Sequence, residues 1–552
     1  MQKSLISNIF TVLVLVCILI FTACSSSHDN YTETDNPVPG ESNKKADAII
    51  AALNQQGFQA VKQVTINGDV GILAKHSIWP QKKCVVLTGK PYSLGYQMGR
   101  LLPGGTYNMV KTYTENLLEE YAYVKKGTAL FNTVKNMATA LAKAAVTEDN
   151  AIPDYLLEEM KGVADGANSA NSSFKQITAD DVLVLNEGLD SLYSILFTGK
   201  LPNTQGATKD ILGCNGFVVS GNATVGGKVY HGRDFMLATG GVYQDEALMT
   251  IYIPDNGKPF VTLGAPGFVG QTAGINSQGL SMGVDVVFSG ATRETPGMGC
   301  LLVIRDIIQN SSNLDEAVER MKSQNRGVSW VYVIADDEKS LKYTNGTVVE
   351  EGMAVDKNGK EVGGPDILKW YTQQSLKDLI EKLPTDELPE RGVMTRPQNW
   401  VYPAAFEGLE DFPPQIETYD DVVIAANHYI IPRMVFTTFS PWIQFLQKNY
   451  WKTSRTLLRY SDLTKRVSDK YGRIDFATAR DLIDFMNPNR EEESLRNGYE
   501  GWTRYKVDGE IEGHHDIFDN QELIMECLYG YYRADEPWVR IDLKPFIDIS
   551  DH

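Results

Sequence analysis

At Cys214 the chain changes texture, and that change constrains the fold more than any other feature of the sequence. Behind it come short β-rich runs: "GFVVSG", "KVYHGRDF", "LMTIYIP", "PFVTLGAP", "GQTAGINSQGLSMGVDVVFSG" and "VSWVYVIADDEKSLKYTNG". Glycine, asparagine and aspartate turns separate them, and "NATVGGK" (222–228) reads as a hairpin turn. Ahead of it the spacing of apolar residues is helical. "ADAIIAALNQQGFQAVKQV" (46–64) starts as a helix, residues 107–146 are helix-rich, and 154–170 and 178–196 are amphipathic. Thr178 caps the last of these, with Asp181 three residues on. "CVVLTGKPYSLGYQMGRLLPG" (84–104) reads as strand, turn and helix start. A helix at 313–322, capped by Asn313, interrupts the strands, and helices return at 454–470 and 476–486. Helices, then paired sheets, then helices give a layered α+β body. Residues 352–415 are rich in proline, glycine and charge and read as an insertion over the surface.

The chain has 552 residues, 43% hydrophobic and 22% charged, which can bury a full core. A formal net charge of −18 argues against a nucleic-acid partner. The first 24 residues read as a leader: Lys3, the apolar run "IFTVLVLVCILIF" (9–21), then "FTAC" ending at Cys24. Small residues before a cysteine resemble a bacterial lipoprotein signal. That implies lipid on Cys24, a membrane anchor and a place in the cell envelope, at the periplasmic or outer-membrane surface. The polar stretch 25–45 then reads as a flexible tether. Cys84, Cys214, Cys300 and Cys527 are widely spaced, with no CxxC and no zinc pattern. One or two disulfides and four lone thiols are both open.

The stretch "DILGCNGFVVSGNATVGGKVYHGRDF" (210–235) holds the chemistry. A strand from Cys214, a hairpin and a return strand bring Arg233 and Asp234 back beside the thiol. An N-terminal nucleophile needs that arrangement, because its own α-amine, titrating at ~7.7–8.0, can serve as the base. The chain must then cut itself at Gly213–Cys214, and glycine permits the strained approach. In "EIEGHHD" (510–516) two adjacent histidines point to opposite faces of one strand, so no metal site is expected there. No P-loop, Rossmann or G-x-S-x-G pattern is present, and no cofactor is expected.

Five stretches, in order over roughly residues 84–490, resemble the penicillin acyltransferase-like branch of the N-terminal-nucleophile (Ntn) hydrolases. They are "KPYSLGYQMGRLL", the Cys214 hairpin, "GINSQGLSMGVDVV", "AANHY" (425–429) and "SRTLLRYSDLTKRVSDKYGRIDFATARDLI" (454–483). That branch is related to acid ceramidase, N-acylethanolamine acid amidase and the bile-salt hydrolases. The resemblance implies a four-layer αββα fold, with a helical N-terminal fragment (46–213) and a catalytic fragment (214–552) that stay associated after the cut. It implies Cys214 as nucleophile and Arg233 as the hairpin arginine. Asp234 is the nearest match to its carboxylate, although relatives often carry the acid further along. Asn427 matches an oxyanion-holding asparagine, Asp285 a second polar residue and Arg455 a late arginine near the thiol. The expected reaction is acyl transfer through a Cys214 thioester, on a linear amide such as an N-acyl amino acid or N-acyl lipid. Three rivals stand beside it. They are a phospholipase B-like ester hydrolase on the same fold, a papain-type pair of Cys214 with His428, and a non-catalytic surface lipoprotein.

Overall fold

The structure, a computed structural model, describes residues 33–34, 44–122, 124–170, 176–199, 213–236, 241–290, 292, 296–340, 342–352, 354–355, 361–362, 392–396, 419–431, 434, 456–484, 513–530 and 537–551. The leader, Cys24 and Arg455 lie outside these residues. Among the described residues no helix is long and apolar enough to cross a membrane.

The strands are β1 (Glu33–Thr34), β2 (Phe58–Ile66), β3 (Asp69–His76), β4 (Lys83–Gly89), β5 (Asn215–Gly221), β6 (Gly227–Met236), β7 (Leu248–Pro254), β8 (Phe260–Gly264), β9 (Ala273–Asn276), β10 (Ser281–Val286), β11 (Trp330–Ser340) and β12 (Thr344–Glu351). They continue with β13 (Ala354–Val355), β14 (Glu361–Val362), β15 (Val393–Thr395), β16 (Val422–Ala426), β17 (Gly513–Asp519), β18 (Ile524–Tyr529) and β19 (Val539–Asp542). One sheet runs β1-β2-β3-β4-β7-β8-β9-β10-β11-β12-β15 and the other β16-β5-β6-β17-β18-β19, with β13 and β14 forming a separate ribbon. The longer helices include α1 (Lys44–Gln55), α2 (Pro91–Leu101), α3 (Ala129–Thr147), α4 (Asp154–Ala170), α5 (Ala179–Phe197), α6 (Cys300–Asn310), α7 (Leu314–Ser323), α8 (Thr456–Lys470) and α9 (Phe476–Asp484).

The layers are αββα. Helices α2, α6 and α7 lie on the larger sheet, α8 and α9 lie on the smaller one, and β10–β12 face β5, β6 and β16 between them. A strand covered on both faces has no side to give to water, so its sequence runs continuously apolar. "LMTIYIP" of β7 is buried at every residue, which is why these runs do not alternate.

The N-terminal portion is not simply helical. Residues 33–89 place β1–β4 in the larger sheet, and β4 pairs parallel with β7, across the Gly213–Cys214 bond in sequence. The tether reading of 25–45 gives way at Glu33–Thr34, which pairs with Thr65 and Ile66, and at Lys44, where α1 begins. The glycines of "KPYSLGYQMGRLL" have a packing cause. A Cβ at Gly95 or Gly99 would run into the backbone of α4, so α2 and α4 pack backbone to backbone.

Further contacts cross the proposed cut. Glu159 of α4 forms a buried ion pair with Arg305 of α6 at 2.6 Å. Glu187 and Asp190 of α5 accept from the backbone N–H groups of Gly299 (2.8 Å) and Cys300 (3.0 Å), where α6 begins. Carboxylates at a helix N-terminus satisfy its orphan donors. The capping expectations hold: Thr178 and Asp181 form a reciprocal box, and Asn313 accepts from Glu316 N.

Candidate active site

Cys214 sits directly before β5, and the β5–β6 register sets Asn215 opposite Asp234 and Gly216 opposite Arg233. Strand alternation then divides the pair. Arg233 turns between the sheets, where its Nη2 donates to Val284 O of β10. Asp234 turns the other way and accepts from Asn215, through the backbone N and through Nδ2 at 2.8 Å.

Asn427 follows β16, which pairs with β5 so that Ala426 faces Asn215. Its Oδ1 accepts from the backbone N of Cys214 at 2.7 Å, and its Nδ2 donates to Val286 O at 2.9 Å. In the continuous chain the asparagine therefore holds the Cys214 backbone nitrogen, and its amide N–H is engaged with a carbonyl. The resemblance gives it the oxyanion instead, which this arrangement does not display.

Arg459 completes the group. From α8 its Nη1 donates to Cys214 O (2.7 Å) and Asn215 Oδ1 (2.6 Å), and its Nη2 donates to Asn427 Oδ1 (2.6 Å). It is fully buried. Sequence reasoning named Arg455 and missed Arg459, one helical turn later in "SRTLLRY". On the helix expected over 454–470, i, i+4 spacing would set both positions on one face, and that was the signal available. Gly213 lies against the same two side chains. A Cβ there would fall inside the radii of Arg459 Nη2 and Asn427 Oδ1, so any larger residue before Cys214 would have to displace both groups.

The electrostatics follow from burial. The Cys214 thiol is pushed up to about 12, first by burial and then by the Asp285 carboxylate, against the opposing pull of Arg233. A neighbouring cation therefore does not make a thiolate in the uncut chain, because desolvation outweighs the charge. Asp234 is raised to about 7 by burial, with Arg459 the largest opposing influence. Asp285 is raised to about 6 by burial, with Arg233 opposing most. Neither carboxylate oxygen of Asp285, nor Nε and Nη1 of Arg233, has a hydrogen-bond partner among the described residues. Buried charges without partners concentrate where chemistry happens.

The thiol opens on a small cavity with room of about 20 Å³ for a water-sized molecule. Leu189 and Tyr193 of α5, Phe235, Val284, Leu301 and Trp330 form much of its apolar wall. Asp190 holds the Trp330 indole through Nε1 at 2.7 Å.

The other sequence candidates fall elsewhere. His428 is bonded through Nδ1 to Thr456 Oγ1 at 2.8 Å and packs edge-on against Tyr460. Burial pushes its pKa well below the ordinary range, so it is a poor base for a papain-type pair. His514 bonds Thr272 (2.8 Å) and lies 2.6 Å from Asp516, whereas His515 lies near Trp538. No group of three or more His, Cys, Asp or Glu side chains among the described residues could hold a metal ion. Cys84, Cys214, Cys300 and Cys527 are all buried free thiols. The insertion is not wholly superficial, since β15 extends the larger sheet and Arg396, directly after it, is buried.

Because Asn427 Oδ1 fixes the Cys214 nitrogen, a Cys214 nucleophile predicts that Asn427→Ala slows both chain cleavage and turnover, each by about 10²-fold, the scale for a misplaced reacting group. Timed gels would follow the first, and initial rates on matured protein the second, with KM nearly unchanged.

Comparisons with known proteins follow this geometry. Residues 231–355 match the family model described as acyl-coenzyme A:6-aminopenicillanic acid acyl-transferase. An uncharacterized protein of Archaeoglobus fulgidus is 32% identical over 458 residues, which is 83% of this chain and 65% of that one. The chain thus spans less than two thirds of the length of this curated relative. Among solved structures, an N-acylethanolamine-hydrolyzing acid amidase ortholog of Caenorhabditis elegans aligns over 56% of this chain and 93% of its own, at 12% identity and a TM-score of 0.31. Penicillin V acylase of Agrobacterium tumefaciens aligns over 60% and 86%, at 11% identity and 0.30. A variant conjugated bile acid hydrolase of Clostridium perfringens aligns over 60% and 93%, at 13% identity and 0.29.

Proposed function

We propose, from the match of residues 231–355 to the acyl-coenzyme A:6-aminopenicillanic acid acyl-transferase family model, that this chain is a self-processing cysteine hydrolase or acyltransferase. Its substrate is a linear amide other than a peptide bond, such as an N-acyl amino acid or N-acyl lipid. The observation that carries the reading is the grip on Cys214. Its backbone nitrogen is bonded to Asn427 Oδ1, its carbonyl to Arg459, and its thiol faces an apolar cavity.

In maturation the Cys214 Sγ attacks the Gly213 carbonyl carbon, and the acyl group passes from nitrogen to sulfur. Water then hydrolyses this thioester, leaving a carboxylate on Gly213 and a free α-amine on Cys214. That amine, with a pKa of ~8, is a better base than any neighbour of the buried thiol and takes its proton in turnover. The thiolate attacks the substrate carbonyl, the amine product leaves with the proton, and water or a second acceptor releases the acyl group. Asn427 Oδ1 keeps the α-amine beside the sulfur, and Asp285 and Arg233 complete the charge balance. The wall beside the thiol is apolar, as an apolar acyl group would require, and the cavity of about 20 Å³ has to widen to admit one.

The chain is also proposed to be anchored by lipid on Cys24 in a bacterial cell envelope, a reading supported by "FTAC". The fragments remain together through the shared larger sheet.

Acid quenching during turnover of a fluorogenic N-acyl amide, followed by mass spectrometry, tests the reaction. The fragment beginning at Cys214 should gain one acyl mass, and Cys214→Ala should gain none. Turnover of the matching ester with no turnover of the amide would favour the phospholipase B-like rival. No adduct from either would favour the binding lipoprotein.

A further inference from the structure

Arg396 lies in the stretch that reads as a surface insertion, yet it is buried, and each of its three guanidinium nitrogens reaches a different acceptor. Nε donates to Glu350 Oε1 at 2.7 Å, Nη1 to Ile424 O at 2.6 Å and Nη2 to His428 O at 3.2 Å. The two carbonyls flank Asn427 in the chain. Glu350, fully buried on β12, accepts from the backbone on the far side of the same turn. It bonds Ile430 N through Oε1 at 2.8 Å and Ile431 N through Oε2 at 3.2 Å. Arg396 is itself fixed by its own N–H, which donates to Val348 O at 2.8 Å. The edge of the larger sheet therefore grips the turn that carries Asn427 at four backbone positions.

We propose that Arg396, with Glu350, is a positioning residue for Asn427, and that the inserted segment thereby sets the reactivity of Cys214. The proposal rests on reading Cys214 as the acyl-accepting thiol, and it adds a residue outside the group that touches it. The geometry favours this role over plain bracing. A planar guanidinium serves three acceptors in fixed directions, whereas an ammonium is a single point charge and cannot hold both carbonyls and the carboxylate in one geometry. The turn would remain paired through β16 but lose its register against Cys214 N. A displacement on the order of 1 Å at a reacting centre can lower the rate about 10²-fold.

The test uses Arg396→Lys in two backgrounds. In otherwise native protein, matured enzyme should lose kcat about 10- to 100-fold with KM within about twofold. Arg396→Lys combined with Asn427→Ala should be no slower than Asn427→Ala alone, because both act through one side chain. In the Cys214→Ala background, which cannot cut itself, hydrogen exchange reports placement without any activity. The amide of residue 214 should exchange at least about tenfold faster in Arg396→Lys, as in Asn427→Ala, while the Phe217 and Val218 amides of β5 stay as protected as before. Additive losses in the double variant, or unchanged exchange at residue 214, would overturn the proposal. Faster exchange with a wild-type chain that turns over no amide or ester would keep the positioning role and refute the enzymatic reading instead.

Discussion

Cys214→Ala is expected to yield one uncut chain with acyl-transfer activity lower by about 10⁴–10⁶, the scale of losing a covalent nucleophile. Gly213→Ala separates the two uses of that thiol. It keeps the nucleophile, but its methyl collides with Arg459 Nη2 and Asn427 Oδ1, so the scissile bond is pushed out of place and cutting is blocked or slowed at least about 10²-fold. Supplying the second fragment already beginning at Cys214, with a first fragment that carries Gly213→Ala at its C-terminus, should restore turnover, because residue 213 is then no longer tethered to the thiol. A cut Cys214→Ala chain would refute the mechanism. A normally maturing Gly213→Ala chain would refute the geometry of the scissile bond.

Arg459→Ala should have the next largest effect. It removes donors from Cys214 O, Asn215 Oδ1 and Asn427 Oδ1 at once, all in a buried site. Asn427 Oδ1 keeps its bond from Cys214 N, but Cys214 O and Asn215 Oδ1 lose theirs from Arg459. Buried acceptors left without donors cost about 1–3 kcal/mol each, so stability should fall by about 2 kcal/mol or more and cutting should nearly stop. The pH dependence has a fixed sign. Asp234 is raised to about 7 in the folded chain, above its unfolded value of ~3.9, so its contribution to stability is present below ~4 and lost as pH rises through about 7. Arg459 is the main influence holding that value down. Without it the loss should extend to higher pH, which melting curves of the variant between about pH 5 and pH 9 would record. Arg455→Ala serves as the comparison, and the arginine with the larger loss of cutting is the one that serves the site.

Much of this was legible in the sequence because local chemistry and tertiary role coincide. The Cys214 hairpin announces itself through turn residues between β-rich runs, and its register follows once Asn215 and Asp234 face each other. Helices α5 and α7 begin where their caps sit, after Thr178 and after Asn313. Strands β2 and β3 were harder to see, though a signal exists. Asn67-Gly68, both at positive φ, is the tight turn that joins β2 to β3. It was outweighed by the helical start at residue 46 and the longer helical stretches that follow. Arg459 and Arg396 were hidden for another reason. An arginine on an amphipathic helix, or in a polar insertion, has the composition of a solvated surface, and only the approach of a distant strand makes it buried. The thiol's environment was likewise invisible, because desolvation depends on α5 and α6 closing over Cys214 and not on its neighbours in sequence.

The most direct test of the central claim is the intact mass of the purified wild-type protein, with N-terminal sequencing of its parts. The account predicts two fragments that elute together, separate in denaturant, and include one beginning Cys-Asn-Gly-Phe. A single uncut chain that nevertheless turns over N-acyl amides would contradict it.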